Sequence, residues 1–558
     1  MIKPILKTIA VTIAVFSFNL YKAGACTSLI AAPGATDTGS SMITYAADAH
    51  VLYGELYEKK GGVHPAGTMR PVIDWDTNEY RGEIPEAPVT YNRIGNMNEH
   101  GVTIAESTWS CKPELEGSGM IDYGSLIYIA LERAKTAREA LQIMTELVDK
   151  YGYASEGESF SIADPTEVWI LEMVGKGKDD PGAVWVARRI PDNAISGHAN
   201  HSRIHTFPLK DKKNTLYAKD VIKFARKMGY FDGKDEDFDF SRAYAVYDMG
   251  ALRGCDARVW SYFNRFAPEG SMDRYLAWIT EGKGDPLPLW IVPEKKISAT
   301  DMKWMMRDHF EGTPLDMTKD IGAGPFDVPY RWRPMEYEVN GEKYTHERAI
   351  ATQQTGFSFV SDMNGDRPEA MKGILWFGTD DANTSVYIPI FNSTLEAPFE
   401  VSHGNGDMLT LSWDALFWVT NYVANQAYNR YSQMIPDIRK VQSALEDGMI
   451  ADVAGAEKQV SGMTYEEQAK VLDKISKKWA TKCTKDYKKL GDMLFVRYMD
   501  GNIKPMNEDG TFARTKTGVP VQPKFGGYNQ RYFESIVNEQ GDRLKVREVP
   551  QSNTPVEK

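Results

Sequence analysis

The sequence predicts an α+β fold, and two patterns carry that expectation. Strands come first, a pair of helices follows, and strands return in a run, without the strand–helix alternation that a parallel sheet requires. From Ser412 onward the character changes to long helical stretches with few strand signals.

The elements follow in order. Residues Cys26–Ala32 are apolar and weakly alternating, Pro33–Ser40 punctuates, and Ser41–Ala47 runs on, which reads as a β-hairpin beginning at Cys26. Further strands are expected at Pro88–Gly95 and Val102–Ser107, joined by a turn at Met97–Gly101. Tyr123–Ala134 and Ala137–Tyr151 have helical spacing, with Thr136 placed to cap the second. Ser159–Asp164, Glu167–Val174 and Ala183–Ile190 read as three consecutive strands. A helix-rich block spans about residues 213–310 and includes a helix over Thr300–Phe310. Strands resume at Ala349–Val360, Gly373–Thr379 and Thr384–Phe391. Ser412–Tyr431, Pro436–Gly448 and Thr464–Asp500 are helical, and the polar, Gly- and Pro-containing stretch from about residue 501 to 558 is expected to be an extended, irregular tail. The division expected is therefore a leader over residues 1–25, a main unit over 26–405, a helical extension over 406–500 and the tail.

Residues 1–25 look like an export signal. Lys3 and Lys7 form a basic start, Ile9–Phe18 is a short apolar stretch, and Ala23-Gly24-Ala25 offers small residues for cleavage. The apolar stretch is short for a membrane span, and no later segment is apolar for long enough. The mature protein is therefore expected outside the cytoplasm, in a periplasm or the medium, and either soluble or lipid-anchored. The 558 residues carry a net charge of -12, and loss of the leader with Lys3, Lys7 and Lys22 makes it more negative. A nucleic-acid partner would need a basic stripe, so that class of partner is excluded.

The four cysteines, Cys26, Cys111, Cys255 and Cys483, contain no CxxC spacing, which rules out zinc ribbons and thioredoxin motifs; whether Cys111 and Cys255 pair is left open. Cleavage after Ala25 would make Cys26 the first residue. Its thiol and its α-amine would then belong to one residue, with ordinary pKa values of about 8.5 and about 7.7–8. The amine can take the thiol proton, directly or through water, and so supply the base a nucleophile needs. Two other readings of Cys26 stand beside this one. A cysteine after a leader can be a lipid-attachment site, although that box prefers an aliphatic residue where Ala23 stands, and a small buried cysteine can be plain core.

The neighbourhood of Cys26 resembles the dipeptidase A-type cysteine dipeptidases (peptidase family C69) among N-terminal nucleophile hydrolases. The resemblance lies in Cys26-Thr27-Ser28-Leu-Ile, in Asp37-Thr-Gly-Ser-Ser-Met-Ile43 and Asp48, and in Arg93-Ile-Gly-Asn-Met-Asn-Glu-His-Gly-Val102. It continues in Ser161-Ile-Ala-Asp-Pro-Thr-Glu-Val-Trp-Ile-Leu-Glu172, Val184-Trp-Val-Ala-Arg-Arg-Ile-Pro-Asp192 and His309-Phe-Glu-Gly-Thr-Pro314. Single pieces are weak; their order, from Cys26 to about Tyr428, is specific. The family is related to choloylglycine hydrolases and penicillin V acylases. The resemblance implies an αββα sandwich of two antiparallel sheets between helical layers, cofactor-free amide hydrolysis through a thioester on cysteine, and dipeptides as substrates.

Residue roles follow from the same resemblance. Asp48 would bind and orient the α-amine. Asn200, in Gly197-His-Ala-Asn-His-Ser202, would help hold the oxyanion, and Arg258, in Leu252-Arg-Gly-Cys-Asp-Ala-Arg-Val259, would favour the thiolate. The backbone amide beside Thr108 is expected to complete the oxyanion hole. Tyr45 stands where the pattern has an arginine three residues before the aspartate, so it brings a hydrogen bond but no charge; with Thr108 it is expected to meet the substrate. His198, His201 and His205 are closely spaced, yet His346-Glu347 has Ile350 where a zinc protease needs a second histidine, and no metal is expected. An amidase for bile salts or acyl-amino acids, working by the same mechanism, and a lipid-anchored binding protein remain the competing functions. The C-terminal helices are expected either to cover the cleft or to form the interface of a homo-oligomer.

Overall fold

Residues 26–549 are described by the computed structural model; the expected leader over 1–25 and the last residues of the tail lie outside the described residues. Two antiparallel sheets and their flanking helices make a mixed α+β architecture. The first sheet has seven strands in the order Trp290–Ile291, Ile195–His198, Ser28–Ala31, Ser41–Asp48, Thr355–Met363, Gly373–Thr379, Ile388–Phe391. The second has eight, ordered Thr215–Tyr217, Ala183–Arg189, Val168–Gly175, Gly157–Ala163, Thr103–Trp109, Met97–Asn98, Arg93–Ile94, Glu58–Lys59.

The hairpin at Cys26 forms as its alternation suggests, with Ile30 opposite Ile43 and Ala31 opposite Met42. Its first strand sits near the middle of the first sheet because Ser28–Ala31 also pairs with Ile195–His198, Ser28 facing His198. The Ser41–Asp48 strand touches Thr103–Trp109 and Gly157–Ala163 of the other sheet, so the two sheets pack face to face. The other face of the second sheet carries Tyr123–Leu131 and Ala137–Tyr151. Asp122 caps the first of these helices by accepting from the backbone of Gly124 and Ser125, each at 3.0 Å, and Thr136 caps the second by accepting from Glu139 at 3.2 Å. Helices Ala257–Phe266 and Ala299–Met305 pack on the first sheet.

Several elements differ from the sequence expectation. The strand expected over Pro88–Gly95 is broken into Val89–Thr90 and Arg93–Ile94, and residues 349–354 are loop, with strand beginning only at Thr355. Tyr431–Val460 starts before Pro436; near a helix start, a proline forfeits a single backbone bond, so the helix runs through it. Tyr465–Tyr498 opens on a reciprocal cap between Thr464 and Glu467. It lies along the edge strand Ile388–Phe391, where Ser476 Oγ donates to the Pro389 carbonyl at 2.7 Å. The polar stretch after residue 501, read as irregular, holds a two-stranded pair, Asn502–Ile503 with Lys524–Phe525, and an 11-residue helix, Gln530–Gln540, capped by Asn529. Asn529 also reaches the carbonyl of Gly324, so a tertiary contact orders a segment that composition alone describes as tail. Among the described residues no helix is long and apolar enough to cross a membrane, and Cys26, Cys111, Cys255 and Cys483 are unpaired thiols.

Candidate active site

Cys26 stands just before the first strand, with Thr27 between them. Thr27 and Ala46 exchange backbone hydrogen bonds of 3.2 and 2.9 Å, which puts Cys26 beside the end of the Ser41–Asp48 strand. Its sulfur donates to Tyr45 Oη at 3.7 Å, and the Tyr45 hydroxyl donates in turn to Glu106 Oε1. Asp48 closes the other side. Its carboxylate accepts from Thr355 Oγ1 at 2.7 Å and from Arg348 Nη2 at 3.1 Å. Burial pushes the Asp48 carboxyl up to about 6, while Arg348 pulls it down. Arg348 thus supplies, from the loop before Thr355, a cation that Tyr45 cannot bring to this strand.

Asn200, Arg258 and Thr108 form a second, connected group. The Arg258 guanidinium donates to the Cys26 carbonyl at 2.9 Å, Thr27 Oγ1 at 2.6 Å, the Ala199 carbonyl at 3.0 Å and Asn200 Oδ1 at 2.9 Å. It therefore binds the main chain of Cys26 and not the sulfur. Asn200 Nδ2 donates to the Thr108 carbonyl at 2.6 Å. Asn200 has a φ of 59°, a left-handed conformation that asparagine tolerates better than most residues. Glu172 secures that turn from below, accepting from the amides of Arg203 and Ile204 at 2.5 and 3.1 Å and from Ser202 Oγ at 2.6 Å.

Thr103–Trp109 meets its outer neighbour only at Thr103. Main-chain groups of an antiparallel strand alternate between its two edges. Ile104 bonds Asn96 on the outer edge, so the main-chain groups of Glu106 and Thr108 face that same edge, where the Thr108 carbonyl meets Asn200. Main-chain amides at this edge lie next to the amide of Asn200.

The electrostatics keep the thiol protonated. Burial, then the Glu106 and Asp48 carboxyls, hold the Cys26 thiol well above its ordinary range. Among the described residues no histidine bonds the sulfur. His198 lies between Ser107 Oγ at 2.7 Å and Ser161 Oγ at 2.8 Å, and burial lowers it to about 3. His201 bonds Asp256 at 2.9 Å and His205 bonds Asp239 at 2.9 Å. The three closely spaced histidines therefore have separate partners, and among the described residues no group of three or more His, Cys, Asp or Glu could hold a metal ion. Attack by Cys26 would need a base that removes the proton during the step.

A family model for peptidase family C69 matches residues 25–444. The chain belongs to peptidase family C69. Curated relatives agree with the C69 assignment at low identity. A protein named "Probable dipeptidase" from Latilactobacillus sakei is 23% identical over 78% of this chain and 88% of its own length. One of the same name from Salmonella dublin is 23% identical over 68% of this chain and 83% of its own. A "Dipeptidase" from Bifidobacterium longum is 23% identical over 92% of this chain and 95% of its own.

Within this C69 chain the six residues singled out from sequence, Cys26, Tyr45, Asp48, Thr108, Asn200 and Arg258, lie in one connected region. Sequence alone did not single out Glu106, Glu172 or Arg348. A signal for Glu106 existed, an acid in the middle of an otherwise neutral strand. Arg348 offered none, since it sits in a loop far along the chain from Asp48.

Proposed function

We propose that this chain is an exported cysteine dipeptidase whose nucleophile is Cys26, made N-terminal when residues 1–25 are removed, and that its paired sheets are the αββα sandwich of N-terminal nucleophile hydrolases. Residues 26–405 would form the catalytic unit and 406–500 a helical extension. The observation that carries this reading is the setting of Cys26: a buried thiol at the start of a central strand, with no imidazole among the described residues on its sulfur and with its carbonyl clamped by Arg258. Such a thiol needs a base, and its own α-amine is the one that cleavage would create. The names of the relatives favour dipeptides over acylated amides.

In this reading Cys26 Sγ attacks the carbonyl carbon of the peptide bond as the α-amine takes the thiol proton. Asp48 orients that amine. The second hydrogen on Asn200 Nδ2, with a main-chain amide near Thr108, stabilises the oxyanion. The ammonium returns its proton to the leaving amine as the C–N bond breaks, leaving a thioester. Water, deprotonated by the same amine, adds to the thioester carbonyl; the C–S bond breaks and the thiol is regenerated. Arg258 acts on the framework, holding the Cys26 carbonyl and Asn200.

Intact-mass and N-terminal analysis of exported protein, with a dipeptide assay, tests the proposal. The chain should begin at a free Cys26 and hydrolyse dipeptides, and Cys26→Ala should be inactive. A diacylated Cys26, or activity retained in Cys26→Ala, would overturn it.

A further inference from the structure

Two acids close to Cys26 have no counter-ion among the described residues. Glu106 and Glu158 are buried on adjacent strands, their carboxyls within hydrogen-bonding reach of each other. Oε1 of Glu106 accepts from Tyr45, and Oε1 of Glu158 accepts from Thr108 Oγ1 at 2.7 Å. Apart from each other, neither Oε2 has a donor among the described residues, and no lysine, arginine or histidine among them forms an ion pair with either carboxyl. Buried carboxylates are normally paired, because an unpaired charge away from water is costly. One proton shared between the two still leaves a negative charge against the Cys26 thiol.

The geometry of a dipeptide says what fits there. Its α-nitrogen is two bonds from the carbonyl carbon under attack, about 2.5 Å away. The group that receives a free α-ammonium must therefore touch the immediate surroundings of the Cys26 sulfur. Two carboxyls do. Asp48 is already bound to Arg348 and Thr355. Glu106 has no cation beside it among the described residues, and it stands one hydroxyl away from the sulfur, through Tyr45.

Taking the chain as a Cys26 dipeptidase, we propose that the Glu106–Glu158 pair receives the α-ammonium of the substrate's first residue, making Glu106 the residue that selects free dipeptides over N-acylated amides. An acyl group at the same place would bring no charge and would leave the acids unpaired. Specificity of this kind is strong, because a site built for a polar partner rejects the analogue that lacks it.

The test uses the mature enzyme. The ratio of kcat/KM for Ala-Ala to that for N-acetyl-Ala-Ala should be high in the unaltered protein and should fall about 100-fold or more in Glu106→Gln, chiefly through KM for Ala-Ala. Glu158→Gln, which leaves the Tyr45 contact in place, should lower the ratio in the same direction; matched unfolding midpoints show that both variants are folded. An unchanged ratio in folded Glu106→Gln would overturn the inference. A second measurement needs no turnover: alaninamide should slow alkylation of Cys26 by iodoacetamide, N-acetylalaninamide should not, and Glu106→Gln should abolish the difference. If the unaltered enzyme cleaves no dipeptide yet shows this Glu106-dependent protection, the dipeptidase reading fails and the ammonium site stands. Equal protection by both amides would remove the ammonium site, whatever the substrate proves to be.

Discussion

Arg258 fixes which way round the Asn200 side chain sits. A guanidinium only donates, so the atom it meets at 2.9 Å must be the amide oxygen, and the amide nitrogen is left facing the Thr108 carbonyl at 2.6 Å. The same guanidinium holds the Cys26 carbonyl, so Cys26 and the proposed oxyanion donor share one clamp. Arg258→Met is expected to lower kcat about 100-fold with a much smaller change in KM, since it frees the donor without removing it. Stranding several buried acceptors should also cost about 3 kcal/mol of stability. Steady-state kinetics beside denaturant unfolding check both; a kcat within twofold of the unaltered enzyme would refute the clamp.

Glu172 should act on the same donor from a distance. It gathers two backbone amides and a hydroxyl from the residues just after Asn200. An amide side chain turns one acceptor into a donor, which sets N–H against N–H. Glu172→Gln is expected to lose about 1–3 kcal/mol of stability and to reduce kcat more than KM. Unfolding and kinetics on one preparation decide it, and a variant with full kcat would show that the turn holds Asn200 without Glu172.

Asp48 predicts an acid limb. Its carboxyl sits at about 6 in the full chain, and it must be ionised to orient an ammonium. The free amine of a chain beginning at Cys26 would pull it lower, so kcat/KM should rise with pH through a limb at or below about 6. The residual activity of Asp48→Asn should lack that limb. The pH profile of both enzymes is the measurement, and a limb that survives in the variant belongs to another group.

Asp380 makes a prediction about stability. Burial pushes its carboxyl up to about 7, and one carboxylate oxygen has no partner. The folded state therefore holds this proton more tightly than the unfolded chain, whose carboxyl sits near 3.9. The stabilising contribution is full below about pH 4 and is lost as pH rises through about 7. Asp380→Asn removes the charge and keeps a residue suited to its φ of 62°. The variant should gain on the unaltered protein as pH rises, by roughly 4 kcal/mol between pH 4 and pH 8. Thermal unfolding at both pH values reads this, and a constant difference would contradict it.

Much of the mixed α+β fold was legible because the signals are local. The turn at Pro33–Ser40 sets off the hairpin, Thr136 marks a helix start, and Gly373–Thr379 is an apolar run with the observed limits. Ile195–His198 was not legible, although it pairs with the strand that follows Cys26. It is four residues long, half of it Ser and Gly, and its partner lies far back in the chain. The same holds for the site. Cys26, Asp48, Asn200 and Arg258 stand in recognisable motifs, whereas the contact of Arg348 with Asp48 exists only once Thr355–Met363 pairs with Ser41–Asp48.

The long helix over Tyr465–Tyr498 has one more effect. A sheet ends in a row of open backbone groups, a ready template on which a strand from another molecule can add. On one side this sheet stops at Trp290–Ile291, too short to nucleate such growth. On the other, Ile388–Phe391 includes Pro389, which has no N–H to offer, and the Pro389 carbonyl is taken by Ser476 from the overlying helix. Shortening the chain before that helix would uncover an apolar strand edge, and the truncated molecules would be prone to join strand to strand into polymers.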